Sequence, residues 1–275
     1  MGLDYNTVGL LVPECKIYEV ATGEVILTRR HQSDNRDIHV NDITWFDATR
    51  FVTAPETGPV TLWNIEGDVV HEADSGEKSV CRLRMIPGQE RAVAVTSDHA
   101  VVIISFDGTP PKLVDQLSDK PVGLAVSDNA SYFAINIKGD ASLCRPAQVL
   151  VYDLQSLTFM RAMEADSYVD NTFVIMPTFC GPESEMVCAG SETGKLHFWD
   201  VESGELIAVL DEHSQHSGWM NFNTRMPGMM ASCSDDNHII IWVTKDLSRS
   251  LQDEDDLWIE QHTVISPPLN LKNGW

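Results

Sequence analysis

Basic residues are scarce in this chain of 275: 19 Lys and Arg stand against 41 Asp and Glu, a formal net charge of −22. Such a surface repels phosphate backbones, and the basic footprint that nucleic-acid binding needs is missing. The same deficit argues against docking on anionic membranes and favours a partner with a basic face, or simply good solubility. Long apolar runs are lacking too, none approaching the ~18 residues of a membrane span. The six cysteines, at 15, 81, 144, 180, 188 and 233, form no CxxC pair and no dense cluster. That spacing suits reduced thiols buried as small hydrophobes, and hence a cytoplasmic or nuclear protein. The opening MGLDYNTVGLLVPE has neither a basic n-region nor a long apolar core, so it does not read as a signal peptide. Asn6 stands where a myristoylation signal wants Ser or Thr. Amphipathic helices of ordinary length are absent.

What is present is a repeat. Residues 15–24, CKIYEVATGE, and 196–205, LHFWDVESGE, share an aromatic, an acid, Val, and a Ser/Thr-Gly-Glu ending. Six aromatic anchors close short apolar runs: Tyr18, Trp63, Phe106, Tyr152, Trp199 and Trp242, separated by 43 to 47 residues. That interval falls in or next to the period of about 40–45 residues expected of a four-stranded propeller blade. Before the anchors sit alternating runs such as Val60-Thr61-Leu62-Trp63, which read as strands. Before those come Glu-Thr-Gly turns ending at Gly58 and Gly194, whose permissive backbone suits a tight hairpin. The pattern predicts an all-β chain of about six four-stranded blades. Residues 1–30 would be an incomplete first blade, 31–243 five further repeats, and 244–275 an acidic loop and tail able to supply closing strands.

These residues resemble the WD-repeat (WD40) family of β-propellers, whose blades end a strand in Trp-Asp. Trp199-Asp200 is that dipeptide, and Tyr152-Asp153 and Phe106-Asp107 are variants. The likeness is best in DEHSQHSGWMNFNTRMPGMMASCSDDNHIIIW, where it implies a buried hydrogen-bonded set of His213, Ser232, Asp236 and Trp242. Elsewhere that set is eroded: the Ser and Asp positions are Ala189 and Thr193 in one repeat, Thr53 and Thr57 in another. Those blades are expected to lean more on apolar packing. The runs PGMMASCSDDNHIIIW, VCAGSETGKLHFWD and VLVYDLQS are similar to repeats of the WD-repeat subunits of the GID/CTLH E3 ubiquitin ligase. That resemblance implies a non-catalytic subunit that bridges ligase modules and helps to choose substrates. Two departures stand out: no helical LisH–CTLH segment is visible, and Tyr18 has only 17 residues before it. The first blade therefore reads as lacking its innermost strand. Three explanations are open: a truncated relative of a seven-bladed protein, closure of a six-bladed ring by Leu257–Ile259 or His262–Ile265 of the tail, or an edge covered by a partner.

His213, His216, Cys233 and His238 suggest a metal site only superficially, since a structural zinc wants four convergent ligands at recognisable spacing. Ser232, His213 and Asp236 name the members of a catalytic triad, but in a blade they would be buried tethers. The insertion Lys138–Pro146 lengthens one hairpin and reads as either a recognition loop or a neutral extension. The run Asp253–Asp256 reads as a solvated loop, with docking of a basic partner the minority alternative. Trp219, where the last blade starts its inner strand, is the best single candidate for a partner contact, because aromatics are enriched at interface hot spots; core packing is the equal alternative. No metal, cofactor or small-molecule partner is expected. The function this implies is a scaffold that binds other proteins, among them ligase subunits or substrates. The rival is a propeller enzyme or small-ligand binder using a central channel, which would need titratable groups converging from several blades.

Overall fold

Successive strands pair with their chain neighbours throughout, so every sheet is an antiparallel meander. The computed structural model describes residues 5–8, 14–33, 36–76, 78–226 and 228–244. The chain divides into two compact units, Met1–Asp119 and Lys120–Trp275. In the first unit, β1 (Tyr5–Val8), β2 (Glu14–Glu19) and β3 (Val25–Arg30) form a three-stranded sheet, followed by a small hairpin, β4 (Gln32–Ser33) and β5 (Arg36–Asp37). Two four-stranded sheets follow: β6–β9 (Val40–Trp45, Arg50–Pro55, Val60–Asn64, Val69–Ala73) and β10–β13 (Val80–Met85, Arg91–Thr96, Ala100–Ser105, Lys112–Gln116). The second unit holds the four-stranded sheets β14–β17 (Pro121–Val126, Tyr132–Ile137, Gln148–Asp153, Thr158–Met163) and β18–β21 (Thr178–Cys180, Met186–Ala189, Leu196–Asp200, Leu206–Leu210). It ends in a three-stranded sheet, β22 (Ser217–Phe222), β23 (Met229–Ser234) and β24 (Ile239–Val243).

About six four-stranded blades were expected, the first incomplete and the last completed by the tail; six sheets of three or four strands are described. Four sheets carry four strands, and the last, like the first, carries three. In the complete sheets Trp63, Tyr152 and Trp199 lie on the third strand, whereas Tyr18 lies on the second strand of its sheet, opposite Asn6. Among the described residues the first sheet therefore has no counterpart of the strand that opens each later one. The tail strands suggested at Leu257–Ile259 and His262–Ile265, and the acidic run Asp253–Asp256, lie outside the described residues.

The strand register also moves one anchor. Trp63, Tyr152, Trp199 and Trp242 each face the second residue of the preceding strand: Phe51, Phe133, Val187 and Met230. In β10–β13 the residue in that place is Ile104, opposite Ala92, while Phe106 follows the end of β12. Phe106 is buried all the same, edge-on to Phe46 with ring centres 5.5 Å apart. An aromatic two residues off register satisfies the same core, which is why spacing alone selected it.

The twin stretches that mark the repeat have the same backbone chemistry. In one, Glu19 N–H donates to Glu24 O and Gly23 N–H to Glu19 O; in the other, Asp200 N–H donates to Glu205 O and Gly204 N–H to Asp200 O. Each turn closes with a glycine at positive φ, +71° and +76°, a conformation that disfavours a side chain. Gly194 is held more strictly: at φ +85° an added Cβ would lie 2.2 Å from His213 O. The insertion Lys138–Pro146 forms a turn of 3-10 helix (Ala141–Leu143) clasped by a bridge between Asp140 and Arg145.

Candidate functional site

His213 lies on the loop entering the last sheet, Ser232 on β23, Asp236 in the β23–β24 turn and Trp242 on β24. Trp242 Nε1 donates to Ser232 Oγ at 2.8 Å, Ser232 Oγ lies 2.8 Å from His213 Nε2, and His213 Nδ1 lies 2.9 Å from Asp236 Oδ2. The polarity is consistent along the chain: indole N–H to hydroxyl, hydroxyl to Nε2, Nδ1–H to carboxylate. That order assigns the imidazole its Nδ1–H tautomer. Asp236 also accepts from the Ser214 and His238 amides at 3.1 and 2.9 Å. Burial opposes its charge, but the bonds from His213 and these amides outweigh it and hold the carboxyl below the usual range. Ser232 and Trp242 are 1% and 0% exposed, so the hydroxyl faces no open space where a substrate could sit. The arrangement pins a loop, a strand and a turn together; it is a tether.

Where the motif is eroded, other polar groups take over. Thr53 keeps the hydroxyl, and Trp63 Nε1 donates to its Oγ1 at 2.9 Å. In β18–β21, Ala189 offers no hydroxyl, so Trp199 Nε1 donates to the Glu164 carbonyl at 3.1 Å. The histidine comes from the third strand instead: His197 Nε2 meets Ser167 Oγ at 2.8 Å, and its ring stacks on Trp199, 5.5 Å between centres. Burial, with the Lys195 charge, lowers the His197 pKa to about 4. A buried indole N–H must find an acceptor, and these two sheets each supply one differently. Thr193 donates to Ser191 Oγ at 3.1 Å.

A second buried polar cluster has no signature in the sequence. Asn136, at the end of β15, donates to Asp170 Oδ2 at 2.6 Å and to Ile175 O at 3.1 Å, and accepts from the Tyr168 hydroxyl at 2.8 Å. Asp170 Oδ1 has no partner, and burial raises the carboxyl's pKa to about 7, against the bond from Asn136 and the charge of Lys138. Alongside, Glu192 Oε1 accepts from the consecutive amides of Asn171, Thr172 and Phe173 and so shapes the loop before β18. The partners are 19 to 39 residues apart and follow no period, so only folding juxtaposes them.

Other candidates stay apart. His213 is committed to the tether, His216 stacks on Phe173 with ring centres 4.4 Å apart, and His238 lies exposed, 3.4 Å from Asp236. Among the described residues no group of three or more His, Cys, Asp or Glu is arranged to hold a metal, and no described helix is long and apolar enough to cross a membrane. A cleft of about 490 Å³ in the first unit is bordered by Glu56, Thr57, Asp74, Ser75 and Lys78, mixed charges without a convergent acid–base pair. Trp219 is 49% exposed, on the face of β22 opposite its buried neighbour Met220.

Repeated four-stranded antiparallel meanders, with a His–Ser–Asp–Trp tether in the last sheet, have the blade pattern of a WD40-type β-propeller. Curated proteins to which the chain is similar are WD-repeat proteins. The chain is 26% identical over 234 residues to a WD repeat-containing protein WDS homolog of Arabidopsis thaliana, covering 82% of this chain and 42% of that one. It is 25% identical over 235 residues to GID complex subunit 7 of Schizosaccharomyces pombe, covering 83% and 43%. A WD repeat-containing protein 26 homolog of Arabidopsis thaliana is 19% identical over 228 residues, covering 82% and 36%. The chain thus spans less than half the length of these curated relatives. No family model matches the chain.

Proposed function

We propose that this chain is a non-catalytic protein-interaction scaffold working inside a multisubunit assembly, and that the assembly is a ubiquitin ligase of the GID type. The observation that carries the reading is the similarity to GID complex subunit 7 across 83% of the chain. The geometry supports the scaffold part: the His, Ser and Asp of the last sheet are consumed in holding strands together. Rigid sheets present many loops at once, which suits holding proteins rather than transforming small molecules. The mechanism is binding and positioning, in the cytoplasm or nucleus, with partners expected to offer basic faces to the acidic surface. Affinity purification of the full chain followed by mass spectrometry tests this. Recovery of RING-type ligase subunits is the expected result. Failure to recover them, together with hydrolase activity in the purified chain, overturns it.

A further inference from the structure

Two connections are longer than their counterparts in the other sheets, and they grip each other. β17 is joined to β18 by fourteen residues, 164–177, where the connections into β10, β14 and β22 take six, four and six. β15 is joined to β16 by ten residues, 138–147, where the matching turns take three to six. Gly139 N–H donates to Asp170 O at 2.8 Å, and Lys138 Nζ donates to Thr172 O. Both connections belong to the second unit.

The longer connection has two apolar anchors and a polar arc between them. Tyr168 and Ile175 are buried in the core shared by β14–β17 and β18–β21. The arc Asp170–Val174 is held by hydrogen bonds to Asn136, Lys138, Gly139 and Glu192, and by the stack of Phe173 on His216. Attachments of this kind open at lower cost than a packed core does. Asp170 is the weak point: it is 0% exposed, Oδ2 accepts from Asn136, and Oδ1 has no hydrogen-bond partner. A buried carboxylate with one oxygen unsatisfied is costly as an anion, and a proton removes the charge. Burial is opposed by Lys138, from the end of β15, and reinforced by Glu192, from the β19–β20 turn. His216, from the loop before β22, lies 3.4 Å from Asp235 and acts on Glu192. His197 meets Ser167 and Tyr168, on the anchored side of the arc.

We propose that Asp170 makes this arc a proton-controlled clasp: protonated, it leaves the arc closed on Asn136 and Glu192; ionised, it draws the arc outward so that the carboxylate reaches water. The closed arc keeps its proton up to about pH 7, and the open arc releases it at the ordinary value of 3.8. Closure is therefore favoured as pH falls from 7 towards 3.8, by about tenfold per unit, and changes little above 7. Tyr168 and Ile175 stay anchored throughout, so the contacts of His197 do not enter the equilibrium. Acid fixes Phe173 against His216, and neutral pH frees it.

Amide hydrogen exchange of the full chain, expressed as protection factors so that the intrinsic pH dependence is removed, tests this at Asn171, Thr172 and Phe173. Their protection should rise about tenfold for each unit of pH between about 7 and 5. Dilute urea should leave it unchanged, since a local opening exposes little surface. Asp170→Asn should keep the three amides protected with no slope. Lys138→Met removes the charge that favours the anion, so its slope should continue above pH 7, which keeps the test available if the Asn variant folds poorly. Level protection in the wild type overturns the proposal. So does a slope that survives in Asp170→Asn, which would belong to His216 or Glu192, or one that β19 shares and urea steepens, which would be global unfolding. Protection restored at pH 7 by potassium chloride but not by choline chloride also overturns it, because a cation and not a proton would then sit beside Oδ1.

Discussion

His213 Nδ1 and Asp236 Oδ2 lie 2.9 Å apart, joining the loop that enters the last sheet to the turn between its second and third strands. The two residues are 23 apart in sequence, and both side chains are almost fully buried, 0% and 6% exposed. The carboxylate sets the imidazole tautomer, and that tautomer lets Nε2 accept from Ser232. One carboxylate therefore orders the whole tether.

Asp236→Ala removes the acceptor for His213 and for the amides of Ser214 and His238. Leaving buried donors unpaired costs about 1–3 kcal/mol, and denaturant unfolding should show a loss of that size. A variant that unfolds with the wild-type midpoint and slope would mean that the carboxylate does not hold this sheet.

Two buried groups give opposite pH slopes. Asp170 has its pKa raised from 3.8 to about 7, so between those values the folded chain holds a proton that the unfolded chain has lost, and stability falls as pH rises. His197 has its pKa lowered from 6.5 to about 4; its contribution is complete above 6.5 and is lost as pH falls towards 4. Relative to wild type, Asp170→Asn should gain stability progressively from pH 4 to 7 and keep the gain above. His197→Gln should be less stable at pH 7, having a poorer fit to Ser167 and Trp199, with the deficit shrinking as pH falls below 6.5. Thermal melts of the three proteins across that range read both effects. A constant offset from wild type in either variant would refute its assigned titration.

Gly194 and Gly58 occupy matching turns, yet only one is crowded. Both have positive φ, +85° and +97°, but a Cβ at 194 meets the His213 carbonyl at 2.2 Å while one at 58 meets nothing within 4 Å. Gly58→Ala should cost about 1–2 kcal/mol, the backbone strain alone. Gly194→Ala adds a steric clash with rigid backbone and should cost clearly more, with unfolding midpoints as the measure. Equal losses would show that the β21–β22 loop gives way easily.

Much of the architecture follows from local chemistry. Alternating runs, turn glycines and anchors recurring every 43–47 residues depend on neighbours in sequence, so strands and most sheets can be read directly. The last sheet's tether of His213, Ser232, Asp236 and Trp242 was implied by the resemblance to the WD-repeat family, because the whole motif lies within one repeat. Tertiary structure alone decided what depends on register and burial. It placed Ile104 rather than Phe106 opposite Ala92, because a core accepts apolar volume from either position. It found substitute acceptors for Trp63 and Trp199, because a buried N–H recruits whichever oxygen the fold brings near. It brought Asn136, Tyr168 and Asp170 together across more than thirty residues. And it decided which apolar residues are covered, such as Leu196 and Phe198 against Met220 and Trp242, since burial is a property of what packs against a strand and not of the strand's own residues.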